Sequence, residues 1–458
     1  MSEKLTIVIV GAGIAGLSAA VSCALAGHSV VVLEGAKELA EVGAGFQITP
    51  NATKILQRWG LGDEMKKTWA VPSSCTVHRY ADGKALWHEA KFAENIQRKY
   101  QAPFIDMHRV DMQKILYDKA IELGVSVKLD HRMKEVRMNL DKGLPELELM
   151  DGTVINGDLV VGADGLWSRS RESMLGVKDQ PLPTGDLAYR IVLTLDQIQD
   201  EELKQLVSNP ALHFWIGPKA HVVGYSMKSG TMYNIVLLVP DDLPPEVSRR
   251  PGSVDEMKGL FEGWDPILTR FLGCVTTVDK WKLMHRAELE SWTNKEKNFI
   301  LIGDSCHPML PYLAQGANSS IEDGCVLGRV LSHVKTREQL PQAVELFEKL
   351  RKSRGEKVAR ETFFQRHDFH MEDGPAQEAR DKIFASQLGK EEAEVKFPSR
   401  WNCPEVQPWL YGYDAYQEVD EAVKQHLLSS CHHLSGLGTY KGSCCMQRGN
   451  KPPPQDKK

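Results

Sequence analysis

The chain has 458 residues, 42% hydrophobic and 26% charged, enough to bury a large core in about two domains with a tail. Its 56 basic and 61 acidic residues give a net charge of −5, which leaves no basic surface for nucleic acid. It contains no internal repeat and no membrane-length apolar run, and its nine cysteines include no Cys-x-x-Cys pair. That pattern argues against a disulfide framework and against a zinc site. A cytoplasmic protein without a metal is expected.

The first predicted element is the apolar strand Thr6-Ile-Val-Ile-Val, which runs into Gly11-x-Gly13-x-x-Gly16 and a helix of small residues. In that context Gly11 permits a tight turn and Gly13 lets the backbone approach a pyrophosphate. Gly16 permits close helix–strand packing, and the helix N-terminus offers free N–H groups to the phosphates. A second strand, Ser29-Val-Val-Val-Leu33, delivers Glu34 where an acid binds ribose hydroxyls. An acid there disfavours a 2′-phosphate, so the loop suits FAD or NAD better than NADP. The apolar run from Lys4 to Ala26 resembles a signal peptide, but the glycine spacing and the strand that follows fit a βαβ unit.

Arg109 precedes a segment with helical spacing at Val110, Ile115, Leu116 and Ala120, so its side chain can leave a helix start. Asp158-Leu-Val-Val-Gly-Ala reads as a buried strand ending in Asp164-Gly165, with Ser168 and Arg171 at fixed offsets. Residues 176–285 change texture. Runs beginning at Asp186, His213, His221 and Met232 read as strands of an antiparallel sheet, with Pro240 to Gly252 a loop. Arg190 is a charge within an apolar strand and needs an anionic or polar partner, either a ligand or an internal ion pair. Tyr225, on a neighbouring strand, either orients a hydroxyl or packs as an aromatic.

Residues 300–323 form a third strand-and-turn unit: a strand ending in Gly303-Asp304, a proline-rich turn, and a helix start at Gly316-Ala317-Asn318. Its free N–H groups and dipole would favour an anion. His307, followed by Pro308, shapes the turn, and His367, His370, His432 and His433 lack metal-ligand company. Leu346–Phe364 reads as a solvated amphipathic helix. Residues 429–458, rich in Gly, Ser, Lys and Pro, read as a disordered tail. There is no second glycine fingerprint for a separate nicotinamide domain, no Gly-x-Ser-x-Gly elbow and no P-loop.

The glycine loop, the Asp164-Gly165 element and the Gly303-Asp304 element, in that order, resemble the class A flavoprotein aromatic hydroxylases, the family of salicylate and para-hydroxybenzoate hydroxylases. The likeness extends through Val42-Gly-Ala-Gly45, Met107-His-Arg109, and Ala314-Gln-Gly-Ala-Asn318, where many relatives have Gly-Gln-Gly. It implies an α/β fold, a Rossmann-like FAD-binding domain with an inserted antiparallel-sheet substrate domain. The FAD domain would comprise 1–75, 101–175 and 286–370, the substrate domain 76–100 and 176–285, and a C-terminal helical or extended segment 371–428.

By the same resemblance Glu34 holds the ribose, Ala44 and Gly45 lie beside the flavin, and Arg109 contacts the cofactor. Asp164 belongs to the cofactor site, Asp304 meets the ribityl–pyrophosphate region, and Gly316 and Ala317 touch the isoalloxazine. Arg190 and Tyr225 are the candidate catalytic residues in the roof over the flavin. The implied reaction uses FAD, NADPH or NADH as transient reductant, and O2. It hydroxylates or epoxidises a phenol- or indole-type ring through a C4a-hydroperoxyflavin in a monomer or homodimer. Salicylate-type decarboxylative hydroxylation, a related flavin oxidase or reductase, and a flavin-binding regulatory protein remain alternatives.

Overall fold

Five short apolar strands lie side by side and parallel in the order Phe299–Leu301, Leu159–Gly162, Thr6–Val10, Ser29–Leu33, Ser126–Lys128. The three central strands are almost wholly buried, as expected where helices cover both faces of a parallel sheet. This computed structural model describes residues 3–39, 44–139, 143–390 and 394–434. Met1–Val419 form one unit and Asp420–Lys458 another.

Register does the positioning. Val10 pairs with Gly162 and Gly162 with Leu301, so the loops beginning at Gly11, Ala163 and Ile302 leave the sheet at one level. Elements separated by nearly the whole chain therefore meet at the carboxyl edge, where open α/β sheets bind ligands. Gly11 has φ +102°, and a Cβ there would lie 2.5 Å from the Ala163 carbonyl oxygen. A Cβ on Gly16 would lie 1.9 Å from the Gly11 carbonyl oxygen. Both positions therefore exclude any larger residue.

Above this edge stands an eight-stranded sheet in the order Arg249–Pro251, Asp279–His285, Leu182–Thr194, Met232–Pro240, Ala220–Met227, Leu212–Gly217, Cys75–Arg79, Ala85–Glu89. The expected α/β fold with an inserted sheet is present. Two details correct the sequence reading. Leu212–Gly217 pairs with Cys75–Arg79 in parallel, so the sheet is not wholly antiparallel. Arg249–Pro251, inside the expected loop, is an edge strand against Asp279–Trp281. A three-stranded sheet, Met133–Asn139, Leu144–Leu149 and Val154–Asn156, lies outside the expectations altogether.

The helix expected to be solvated is a structural centre. Leu340–Phe369 forms one helix, and within it Arg351 is fully buried and Arg354 nearly so. Arg351 pairs with Glu322 at 2.7 Å and Asp323 at 2.8 Å, Arg354 with Glu322 at 2.8 Å, and His307 with Asp323 at 2.6 Å. These acids belong to the buried helix Gln315–Leu331, which packs on Ile14–Leu25. Burial opposes the charge on Asp323, yet His307 and Arg351 outweigh it and hold the carboxyl at about 2. Its contribution is thus full above the ordinary carboxyl range and is lost as pH falls from 3.8 toward about 2. The expected tail also changes: residues 429–434 are the end of the helix Ala415–Leu434, and 435–458 lie outside the described residues. Among the described residues no helix is long and apolar enough to cross a membrane.

Arg351→Ala leaves Glu322 and Asp323 buried with fewer counter-charges, a change that costs about 3–5 kcal/mol in buried pairs. A clear drop in the thermal unfolding midpoint is expected. An unchanged midpoint in differential scanning fluorimetry would show that the network carries no net stability.

Candidate active site

A cavity of about 630 Å³ lies between the carboxyl edge of the parallel sheet and the roof sheet, within the size range of small-ligand sites. Of the residues singled out from the sequence, Gly13, Ala44, Gly45, Arg109, Arg190, Tyr225, Asp304, Gly316 and Ala317 all line it. Gly11, Gly16, Glu34 and Asp164 do not line it.

The floor is built for an anionic, extended ligand. The helices Ile14–Leu25 and Gln315–Leu331 both begin at the cavity, and neither has an acidic residue in its first turn. Their N–H groups and positive dipole ends are thus not neutralised locally. A Cβ on Gly13 would meet nothing within 4 Å, which leaves open space where the loop faces the cavity. The Glu34 carboxylate accepts hydrogen bonds from the Ala12 and Ala36 N–H groups, each 2.8 Å. Gln113, which sequence reasoning missed, donates to the Ala12 carbonyl at 3.0 Å and fixes the same loop. Asp304 approaches the second helix start, its Oδ1 3.9 Å from where a Gly316 Cβ would be.

Asp164 is placed differently from expectation. Its carboxylate accepts from Ser168 Oγ at 2.5 Å and from the Ser170 N–H at 2.9 Å. Ser168 Oγ in turn caps the helix Arg169–Leu175 through the Arg171 N–H. Burial lifts the Asp164 carboxyl above its ordinary range against those hydrogen bonds. The side chain shapes the turn, while its neighbours Ala163, Gly165 and Leu166 face the cavity. Arg286, also unforeseen, grips the Leu166 carbonyl through Nε at 2.9 Å and Nη2 at 2.6 Å.

Floor and roof are stitched together at residues 44–45. The Arg109 N–H, at the start of the helix Arg109–Glu122, donates to the Ala44 carbonyl at 3.1 Å. The Gly45 N–H donates to Asn234 Oδ1 of the roof at 3.0 Å. A Cβ on Gly45 would lie 2.4 Å from Met227 Sδ and 2.9 Å from the Tyr225 hydroxyl, so glycine there lets the roof come down. A buried polar cluster supports the second helix start. Asn51 donates to Glu322 at 2.6 Å and to Gln315 at 3.1 Å, and Gln315 donates to Thr49 at 2.9 Å. Asn318 donates to the Gln47 carbonyl at 2.9 Å.

Strand register gives the roof its chemistry. Arg190 pairs with Val236, which pairs with Val223; Ala188 pairs with Leu238 and with Trp281; Tyr225 pairs with Asn234. Directly paired residues point to one face, and that face is the cavity wall. Arg190 lies on an interior strand of the sheet, not at its edge, is only half-buried, and stands 4.9 Å over the Trp281 ring. Tyr225 is buried, and burial pushes its phenol far above the ordinary value, so it remains a hydrogen-bond donor.

His307 shapes its turn as expected, its N–H bonding the Gly303 carbonyl at 3.0 Å. It also joins Cys306 and Asp323 in a buried grouping of metal-type donors. Asp323 there is already shared by His307, Arg351 and the Gly303 N–H. His370 follows its helix as the C-cap residue and meets His221 at 2.7 Å. Cys23, Cys75, Cys274, Cys306, Cys325 and Cys403 are free thiols.

Residues 4–362 match the FAD binding domain family. The FAD-dependent monooxygenase OpS4 of Beauveria bassiana is 45% identical over 423 residues, 92% of this chain and 98% of the relative. The 3-amino-4-hydroxybenzoate 2-monooxygenase PtnB3 of Streptomyces platensis is 30% identical over 410 residues, covering 89% of this chain and 96% of that one. The crystal structure of CtdE with FAD and a substrate superposes with a TM-score of 0.78 at 21% identity, covering 93% of this chain and all of the other. The chain belongs to the FAD binding domain family, as an FAD-dependent monooxygenase of the class A aromatic hydroxylase type. FAD is its cofactor, and the open glycine loop and the two helix starts fit that group.

Glu34→Ala removes the acceptor that orders the glycine loop at Ala12 and Ala36. A charge-assisted bond is worth about 1.5–3 kcal/mol, so FAD should be held at least tenfold more weakly. Unchanged FAD affinity by fluorescence titration would show that the loop is ordered without Glu34.

Proposed function

We propose that the protein uses FAD, reduced by NADPH or NADH, to place one atom of O2 on an electron-rich aromatic ring by hydroxylation or epoxidation. The observation carrying this reading is that one cavity has a cofactor floor and a roof bearing Arg190 and Tyr225. A relative whose name specifies a hydroxybenzoate ring agrees with it. Bound FAD supplies the redox and oxygen-activating chemistry.

The chain's own groups have separable tasks. The loop at Gly13 and the helix start at Ile14 receive the pyrophosphate. Glu34 would meet the adenosine ribose beyond the loop it orders, and Arg109 and Asp304 would contact the rest of the cofactor. Ala44, Gly45, Gly316 and Ala317 would frame its ring system, and the second helix start would favour negative charge there. Arg190 holds the ring's hydroxyl or carboxylate and favours its ionised form, which for a phenol is the electron-rich form that accepts oxygen. Tyr225 donates a hydrogen bond to the same end. The surrounding Val223, Val236, Leu238 and Trp281 side chains keep water away from the reacting atoms.

Labelling tests the reading directly: turnover of a hydroxybenzoate under ¹⁸O₂ should leave one labelled atom in the product, and unlabelled product would refute oxygen transfer. Arg190→Leu should keep its FAD but form product about a hundredfold more slowly, the scale of about 3 kcal/mol for an oriented electrostatic group. Nicotinamide oxidation should continue with release of hydrogen peroxide. Product at the wild-type rate would confine Arg190 to a structural role.

A further inference from the structure

The roof wall of the cavity changes character along its strands. At one end stand Tyr225 and Arg190; two residues along the Leu182–Thr194 strand the wall is Ala188 and Leu238, continued by Leu283. Two residues of strand cover about 7 Å, roughly the span of a substituted benzene ring. Ala188, Leu238, Leu283, Leu310 and Tyr312 pack as one apolar cluster, with Val236 against it.

The polar atoms near this second end are already committed. The Tyr312 hydroxyl donates to Asp186, which Arg366 clamps from the outer side. Trp401 Nε1 donates to the Tyr312 carbonyl at 3.1 Å, and His221 is bonded to His370 at 2.7 Å. Besides Ser248, and Lys282 whose ammonium is bonded to the Leu243 and Pro244 carbonyls at 3.1 and 2.7 Å, what lines the cavity there is hydrocarbon and ring surface. A polar substituent placed against it would lose its hydrogen bonds to water without replacement. Arg249, exposed at the rim and level with Ala188 through Trp281, is likewise committed: it pairs with Asp279 at 2.8 Å and lies 4.1 Å over the Trp281 ring.

We propose that the substrate is an anionic phenolic ring that carries an alkyl substituent. Its ionised group lies at the Arg190 and Tyr225 end, and its alkyl group lies against Ala188, Leu238, Leu283 and Leu310. This rests on the aromatic-oxygenation reading above and narrows it: a ring with polar groups at both ends is a poor fit, and a bare hydroxybenzoate fills only part of the wall.

The test uses the FAD-loaded enzyme and reads binding as the perturbation of flavin absorbance, with product formation followed separately. The probes are 2-hydroxybenzoate and its 4-methyl, 4-propyl and 4-hydroxymethyl derivatives, whose substituent lies para to the carboxylate. Kd should fall about fourfold per added carbon from the parent to the propyl compound, the ratio that corresponds to ~0.8 kcal/mol per buried CH2. The hydroxymethyl compound should bind about tenfold or more weakly than the methyl compound. Ala188→Leu, which fills the apolar end, should erase the propyl advantage while FAD remains bound. A Kd that is flat or rises along the alkyl series, or a full propyl advantage in Ala188→Leu, would overturn the assignment. Product formed from these rings without any alkyl preference would sink this inference alone. Failure of every ring both to perturb the flavin and to yield product would sink the aromatic reading, and this inference with it.

Discussion

The constraint on which the rest depends is that three parallel strands end at one level. Because Val10, Gly162 and Leu301 are neighbours in register, whatever follows each strand is delivered to the same edge. A one-residue slip would send alternate side chains to the wrong face and raise or lower one loop by a residue's length. The glycines enforce the register locally: Gly11 is held against Ala163 and Gly16 against Gly11 itself. A site assembled from residues 11–16, 163–166 and 303–317 is therefore as rigid as the middle of the sheet.

The second helix start needs more than register. Its first turn must present free N–H groups to the cavity, yet the helix is almost entirely buried and carries Glu322 and Asp323. Those acids would be untenable there alone. Arg351 and Arg354, reached across from the long helix, neutralise them, while Asn51 uses remaining acceptor capacity of Glu322, and His307 and the Gly303 N–H use that of Asp323. The network locks the helix at the height where Gly316 and Ala317 border the cavity. Charge deep in the fold thus serves placement at the site, and the stability of this core and the shape of the floor are one property.

Much of this was legible in the sequence, and the divide has a physical basis. The tight turn at Gly11 and the close packing at Gly16 could be read because each has a local steric reason that spacing exposes. The strands at Asp186, His213, His221 and Met232 announced themselves by β-rich runs. Arg351 and Arg354 could not be read: charges at helical spacing look solvated when their partners lie some thirty residues away on another helix. Lys280 is hidden for the same reason, buried against Asp242 and Glu256 while Trp281 and Leu283 line the cavity. There the usual alternation is inverted, and only the ion pairs reveal which side is which. Asp164 shows the converse: a motif residue whose side chain is spent on its own turn through Ser168 and Ser170.

These two kinds of residue divide the labour of the site. The floor is fixed by backbone: close glycine contacts, helix ends and register, none of which tolerates much change. The roof is written in side chains that project from a hydrogen-bonded sheet, and replacing one alters the wall without disturbing the ladder. Gly45 is where the two meet, since its missing side chain is what lets Tyr225 and Met227 descend onto the floor, while its N–H ties that floor to Asn234. A frame of this kind can keep one cofactor geometry while the roof adapts to different rings. In this chain the roof offers a guanidinium and a phenol at one end and hydrocarbon at the other, and the selectivity proposed above would reside in the spacing between Arg190 and Ala188 on a single strand.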